Sequence, residues 1–174
     1  MIPLIRRALL VLPALCLSAH AETFIGAKTS LSRIEVNETR FSPWQVGLLG
    51  GARLANGLGG ELHLQTGVTD DDSRNSTMSV DFQGTAYATA NAISPDKTTI
   101  ATFGGGYALL KTDTKAGSTG FPGSQSFDGA ALMLRFEERF VSGSPLSLVG
   151  GYEHFFFDSD LSAYLFSLGV NYAF

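Results

Sequence analysis

The sequence predicts an all-β fold: an eight-stranded antiparallel transmembrane β-barrel of up-and-down topology, preceded by a cleaved signal peptide. Three observations lead there. Residues 161–174, LSAYLFSLGVNYAF, set Tyr164, Phe166, Leu168, Val170, Tyr172 and Phe174 at every second position, with Ser167, Gly169 and Asn171 between them. A period of two belongs to a β-strand with one apolar face, and a strand apolar to its last residue would invite aggregation at the edge of a soluble sheet. The amino terminus reads as an export signal. Beyond residue 21 no apolar run approaches the roughly twenty residues of a membrane helix. A chain that crosses lipid without helices must close its sheet, because every backbone N–H and C=O needs a partner there.

In chain order, Arg6 and Arg7 form a positive n-region, Ala8 to Leu17 an apolar core, and Ala19-His20-Ala21 a small-x-small cleavage pattern. The division is therefore a signal peptide at 1–21 and a single barrel domain at 22–174. Cys16 is the only cysteine and follows Leu15, where lipid attachment requires a small residue. Lipidation, disulfides and a cysteine metal site are thus not expected. The formal net charge of −4 becomes two units more negative when Arg6 and Arg7 leave with the leader. That acidity argues against nucleic acid as a partner.

Eight segments of the remaining chain can be extended: 22–33, 41–54, 58–69, 77–89, 98–112, 126–139, 146–157 and 161–174. In the second, Trp44, Val46, Leu48, Gly50, Ala52 and Leu54 alternate with Gln45, Gly47, Leu49, Gly51 and Arg53. In the third, Leu58, Leu62, Leu64 and Val68 alternate with Glu61, His63, Gln65 and Gly67; in the sixth, Ala130, Leu132, Leu134 and Phe136 alternate with Gly129, Ala131, Met133, Arg135 and Glu137. These ladders put apolar side chains outward and polar ones inward, as lipid demands. The first and fifth segments alternate poorly and are strands by position. Asn56-Gly57, Ser94-Pro95-Asp96 and Ser142-Gly143-Ser144-Pro145 are tight-turn chemistry, whereas Thr69–Asn75, Thr112–Gln125 and Asp158-Ser159-Asp160 are longer or more acidic. With both termini on one side, all the short turns fall on that side and the polar loops on the other.

Together with the glycine-aromatic stretches Phe103-Gly104-Gly105-Gly106-Tyr107 and Val149-Gly150-Gly151-Tyr152 and the Tyr-Ala-Phe end, this architecture resembles the small OmpA-like or OprF-like outer-membrane β-barrels over residues 22–174. The resemblance implies a location in the bacterial outer membrane and a monomer surrounded by outer-membrane lipid and lipopolysaccharide. It implies that periplasmic chaperones and the barrel-assembly machinery meet the chain during biogenesis, with Val170, Tyr172 and Phe174 as the assembly signal. No peptidoglycan-binding function is carried over, since the sequence ends at the barrel.

An eight-stranded barrel is just wide enough for its own side chains to fill. The alternation sends Arg53, Glu61, His63, Asp81, Arg135, Glu137 and Glu153 into the lumen, where unpaired ions would each cost several kcal/mol and pairing is expected. Acids outnumber bases in that set, so hydroxyls such as Ser79 or Thr85 are expected to help. The function expected is structural and surface-interacting, with a polar, filled lumen; the alternatives are a narrow or transient porin-like pore for small solutes and, as an outsider, an outer-membrane lipid A-modifying hydrolase. Catalysis is not expected. His154 lies near Asp158, Ser159 and Asp160, but the following Phe155-Phe156 stands where a deacylase has its His-x-Ser pair, and His154 instead reads as part of an aromatic belt with Tyr152, Phe155, Phe156 and Phe157. No cofactor or metal is expected either: Gly104–Gly106 precedes no helix, and Asp70-Asp71-Asp72 lacks the spacing of a calcium loop.

Overall fold

Ten strands, each antiparallel to its neighbours, account for most of residues 21–36, 39–73, 76–115, 123–157 and 161–174, which the computed structural model describes. Residues 1–20, 37–38, 74–75, 116–122 and 158–160 lie outside them, and with them most of the expected signal peptide, part of the expected long break at 112–125 and the expected break at 158–160. Eight strands make the wall: β1 (Ala21–Val36), β3 (Trp44–Leu54), β4 (Leu58–Gly67), β6 (Ser76–Ile93), β7 (Thr99–Lys115), β8 (Gly123–Arg139), β9 (Leu146–Phe157) and β10 (Leu161–Ala173). The sheet closes where β1, already paired with β3 through Ala27↔Leu48, pairs on its other side with β10 through Ala27↔Val170. Closure removes the open edge that the apolar last strand would otherwise present.

The three tight turns expected from the sequence, around Asn56-Gly57, Ser94-Pro95-Asp96 and Ser142–Pro145, sit at the end that holds the termini. Gly57 takes φ 84°, a left-handed conformation that glycine adopts without strain, and its N–H donates to Leu54 O at 3.0 Å. In the second turn the Ser94 hydroxyl donates to Asp96 at 2.5 Å, and this bond, with those from Thr98, holds the Asp96 carboxyl below its ordinary value. At the opposite, loop end two short strands extend the hairpins: β2 (Thr39–Phe41) pairs with the end of β1, and β5 (Asp71–Ser73) pairs with the start of β6. The segment 69–75 is therefore not all loop, and a break at Ser42-Pro43 separates β2 from β3. The first and fifth predicted segments are full-length strands, and β7 and β8 run on to Lys115 and from Gly123.

Outward side chains form a continuous apolar band, to which every wall strand contributes: Ile25, Leu48, Leu64, Phe82, Phe103, Leu134, Leu148 and Leu168 are all exposed. Inward, the lumen has two zones. The half nearer the termini is charged and polar, while the loop-end half is an apolar cluster built around Ile34, Phe41, Met78, Leu110, Phe155 and Leu165. The expectation of a uniformly polar lumen is thus corrected. The physical reason is the change of surroundings: beyond the apolar band the outer wall meets water, so the apolar side chains turn inward as in a soluble barrel.

Candidate functional site: the charged lumen

The lumen network begins on β1 with Lys28, whose Nζ is paired with Glu153 of β9 and lies 3.0 Å from His63 Nδ1 of β4. Glu153 also accepts from the Tyr87 hydroxyl of β6 at 2.8 Å, and the His63 and Tyr87 rings meet edge-on at 5.2 Å. His63 Nε2 stands 3.2 Å from Glu61 Oε2. With the proton on Nε2 the imidazole donates to Glu61 and leaves Nδ1 to accept from Lys28. Glu61 Oε1 accepts from Arg135 at 2.5 Å, and the same guanidinium lies 3.5 Å from Glu137 on its own strand, β8.

Glu137 is the hub of the lower half. It is paired with Arg53 of β3 and accepts from the Ser147 hydroxyl at 2.9 Å and from the Asn171 amide at 3.1 Å. Arg53 reaches on to Glu22 at 2.7 Å, and Glu22 accepts from Arg139 at 2.6 Å at the mouth of the barrel. The Arg53 guanidinium also lies over the Phe24 ring at 4.2 Å, a cation–π contact. Thr102 of β7 completes the circuit by facing Arg135. Every wall strand therefore places at least one side chain in this network. The cations Lys28, Arg53, Arg135 and Arg139 are matched by the anions Glu22, Glu61, Glu137 and Glu153.

Glycines create the room. A Cβ on Gly51 would lie 2.9 Å from the Phe24 ring and 3.0 Å from Glu61 Cγ, and one on Gly169 would lie 2.9 Å from Lys28 Cβ. These are inward positions opposite the bulkiest lumen side chains, which a narrow barrel tolerates only where the facing residue has none. What space is left is small: the cavity lined by Lys28, His63, Arg135 and Glu153 measures about 10 Å³, the size of about one water.

Of the sequence-expected lumen residues, Arg53, Glu61, His63, Arg135, Glu137 and Glu153 are brought together, each 3% exposed or less. Asp81 is not. Val80 pairs with Thr112 and Phe82 with Lys111, so Asp81 is the extra residue of a β-bulge, which resets the alternation and leaves its side chain outside. Above the bulge Met78 and Val80 point inward; below it Gln83, Thr85 and Tyr87 do. Neither Ser79 nor Thr85 serves a lumen acid: Ser79 donates to Asp113 O, and Glu137 is served by Ser147 instead. Sequence reasoning missed Lys28, Glu22 and Arg139. Lys28, Ser30 and Ser32 form a polar run of period two that could have located Lys28.

The aromatic belt needs the same correction. Phe155 and Phe157 share the parity of Glu153 and are buried in the lumen, whereas Tyr152, His154 and Phe156 face outward. The His154 ring stacks on Phe156 at 4.3 Å, meets Tyr164 edge-on at 5.2 Å and lies 3.4 Å from the Tyr152 hydroxyl. Among the described residues no serine hydroxyl is bonded to it. Val170, Tyr172 and Phe174 line the outer face of β10, with Phe174 N–H donating to Thr23 O at 2.9 Å and its ring on Tyr172 at 5.2 Å.

Comparison with known proteins follows the architecture. The model of the family described as outer membrane protein beta-barrel domain matches residues 8–174. No curated protein matches the sequence. Among solved structures, Ail, the attachment invasion locus protein of Yersinia pestis, superposes with a TM-score of 0.67 at 15% identity, over 89% of this chain and 99% of that one. Neisserial surface protein A gives 0.64 at 12% identity over 87% and 97%, and the N-terminal β-barrel domain of Pseudomonas aeruginosa OprF gives 0.58 at 12% over 86% and 97%. At such identities the likeness speaks for the fold.

Proposed function

The chain belongs to the outer membrane protein beta-barrel domain family and resides in the bacterial outer membrane, and from that premise we propose that it is a non-catalytic, monomeric barrel with a structural and surface-interaction role, closed to solutes. Its termini and short turns face the periplasm and its polar loops the exterior, as in barrels of this kind. Outer-membrane lipid and lipopolysaccharide surround it. Periplasmic chaperones and the barrel-assembly machinery receive it first, and the terminal strand with Val170, Tyr172 and Phe174 is the segment they read.

One observation carries this reading: the eight-strand ion network, capped on the loop side by the apolar cluster around Phe155 and Met133. A conducting path would have to break buried ion pairs, at several kcal/mol each, and then wet an apolar constriction. Against a hydrolase stands the setting of His154, which is packed among rings and, among the described residues, has no serine hydroxyl bonded to it. The test is single-channel recording of the refolded protein in planar bilayers. Insertion without steps above baseline supports the closed barrel, and a steady ohmic conductance refutes it.

A further inference from the structure

The outer wall is not uniform. At the height where its outward residues change from apolar to polar, aromatic side chains gather on β9 and β10: Tyr152, His154, Phe156, Tyr164 and Phe166 form one stack, with Tyr152 and Phe166 rings 5.1 Å apart. Trp44 of β3, Phe82 of β6 and Tyr107 of β7 carry the outer aromatic girdle around the barrel, but on β9 and β10 its rings pack against one another beside a cation. Arg33 of β1 stands in register with Tyr164, and Tyr164 in register with His154, so a cation and two rings share one rung. Just above, Arg40 joins the same patch. Arg33 and Arg40 both approach a single carboxylate, Glu35, at 3.6 and 2.5 Å, and their side chains are 47% and 62% exposed. Among the described residues of the patch two guanidinium groups thus share one anion, with N–H donors to spare.

We propose that this patch binds a phosphorylated glycolipid of the outer leaflet. Its phosphate pairs with Arg33 and Arg40, whose planar fork suits phosphate. A sugar ring lies against Tyr164 and His154, and the acyl chains run down Phe166, Leu168 and Leu31. The glycolipid is favoured over a plain anionic phospholipid because the rings stand beside Arg33 and below Arg40 at the upper edge of the apolar band, where a phospholipid has only its glycerol to offer. The inference rests on the surface-interaction reading above and gives it a ligand.

The experiment uses the refolded full barrel in phosphatidylcholine vesicles doped with a minor fraction of lipid A or, in a parallel arm, of phosphatidylglycerol. Lipid retained through detergent exchange is quantified by mass spectrometry. Lipid A should be retained and phosphatidylglycerol washed away. Arg33→Gln with Arg40→Gln should lower lipid A retention by about tenfold or more, the loss expected when charge-assisted hydrogen bonds are removed. Tyr164→Leu should lower it as well, while Lys111→Gln on β7, which is four strands from β1 and separated from β9 by β8, should leave it unchanged. Inorganic phosphate should not displace the lipid. Parent-like retention by the Arg33/Arg40 variant overturns the proposal, as does an equal loss with Lys111→Gln or equal retention of the two lipids. Heat-modifiable gel mobility checks that each variant is folded, and Arg40→Gln alone, a rim change, replaces the pair if the pair is not. The conductance recording is independent of lipid retention, so failure of this site and failure of the closed-barrel reading are separately visible.

Discussion

Arg135→Ala tests the lumen network most sharply. The guanidinium is 2% exposed, bonded to Glu61 at 2.5 Å and close to Glu137 at 3.5 Å and Thr102 at 3.4 Å. Truncation strands Glu61, itself fully buried, with His63 at 3.2 Å as its remaining partner. Removing one member of a buried ion pair costs about 3–5 kcal/mol, much of it the penalty of leaving the other charge alone. Because Glu61 keeps His63, and Glu137 keeps Arg53, Ser147 and Asn171, the loss should fall at the lower end, about 3 kcal/mol. Arg135→Met separates charge from volume. Combining it with Glu61→Gln removes both charges, so the double variant should be more stable than the two single losses added together.

The assay is urea unfolding in detergent micelles, followed by the fluorescence of Trp44, the one tryptophan, and by heat-modifiable mobility. Asp81→Asn is the control: the residue is outside at the bulge and should shift stability by no more than about 0.5 kcal/mol. If Arg135→Ala costs no more than Asp81→Asn, or if the double variant is strictly additive, the inward assignment of the network is wrong.

Phe155→Ala should cost about 3–5 kcal/mol by opening a cavity in the loop-end cluster, whereas Phe156→Ala, which faces outward, should cost less than half of that in the same unfolding assay. Gly106→Ala should destabilise by about 1–3 kcal/mol, since its Cβ would stand 2.0 Å from Ala86 O with no flexible side chain to give way; a neutral effect on the urea midpoint would contradict the close β6–β7 approach there. Deletion of Phe174 should lower outer-membrane levels in cells far more than the yield of spontaneous folding into detergent, because backbone pairing with a receptor supplies affinity and alternate side chains supply identity; equal losses in the two measurements would make the residue an anchor only.

How much of this was legible depends on where along each strand one looks. In β3, β4 and β8 most of the strand lies within the apolar band, so the outward residues stay apolar and the period of two is plain. In β1 the pattern changes sign partway: Ile25 and Leu31 face out below, while Arg33 faces out above and Ile34 and Val36 turn in. A reader who assumes one sign for the whole strand finds poor alternation. The same assumption placed Phe155 and Phe157 in an outer belt, although both lie on the inward parity of Glu153. Asp81 failed for a different reason, since a bulge adds one residue and no residue type in Val80-Asp81-Phe82 announces it.

The sign change also explains why the acid-rich list read from the sequence becomes a balanced network in the fold. Each strand passes through two solvents, so its inward face must be polar only where lipid holds the outside apolar. On β6 the bulge falls at that boundary: Phe82 faces out within the band, Asp81 faces water, and Val80 enters the apolar cap. Had the alternation continued unbroken, Asp81 would have entered the lumen as an extra acid, and Val80 would have faced outward. An additional buried carboxylate without a cation costs several kcal/mol, so the bulge removes a charge from the interior and supplies an apolar residue to the cap with one inserted position. The matching cations come from places the alternation could not weight, Lys28 on a strand of mixed sign and Arg139 at a strand end. On β6 the exclusion of an extra lumen acid and the start of the apolar cap thus fall at the same local feature, and removal of one residue from the bulge should disturb both together.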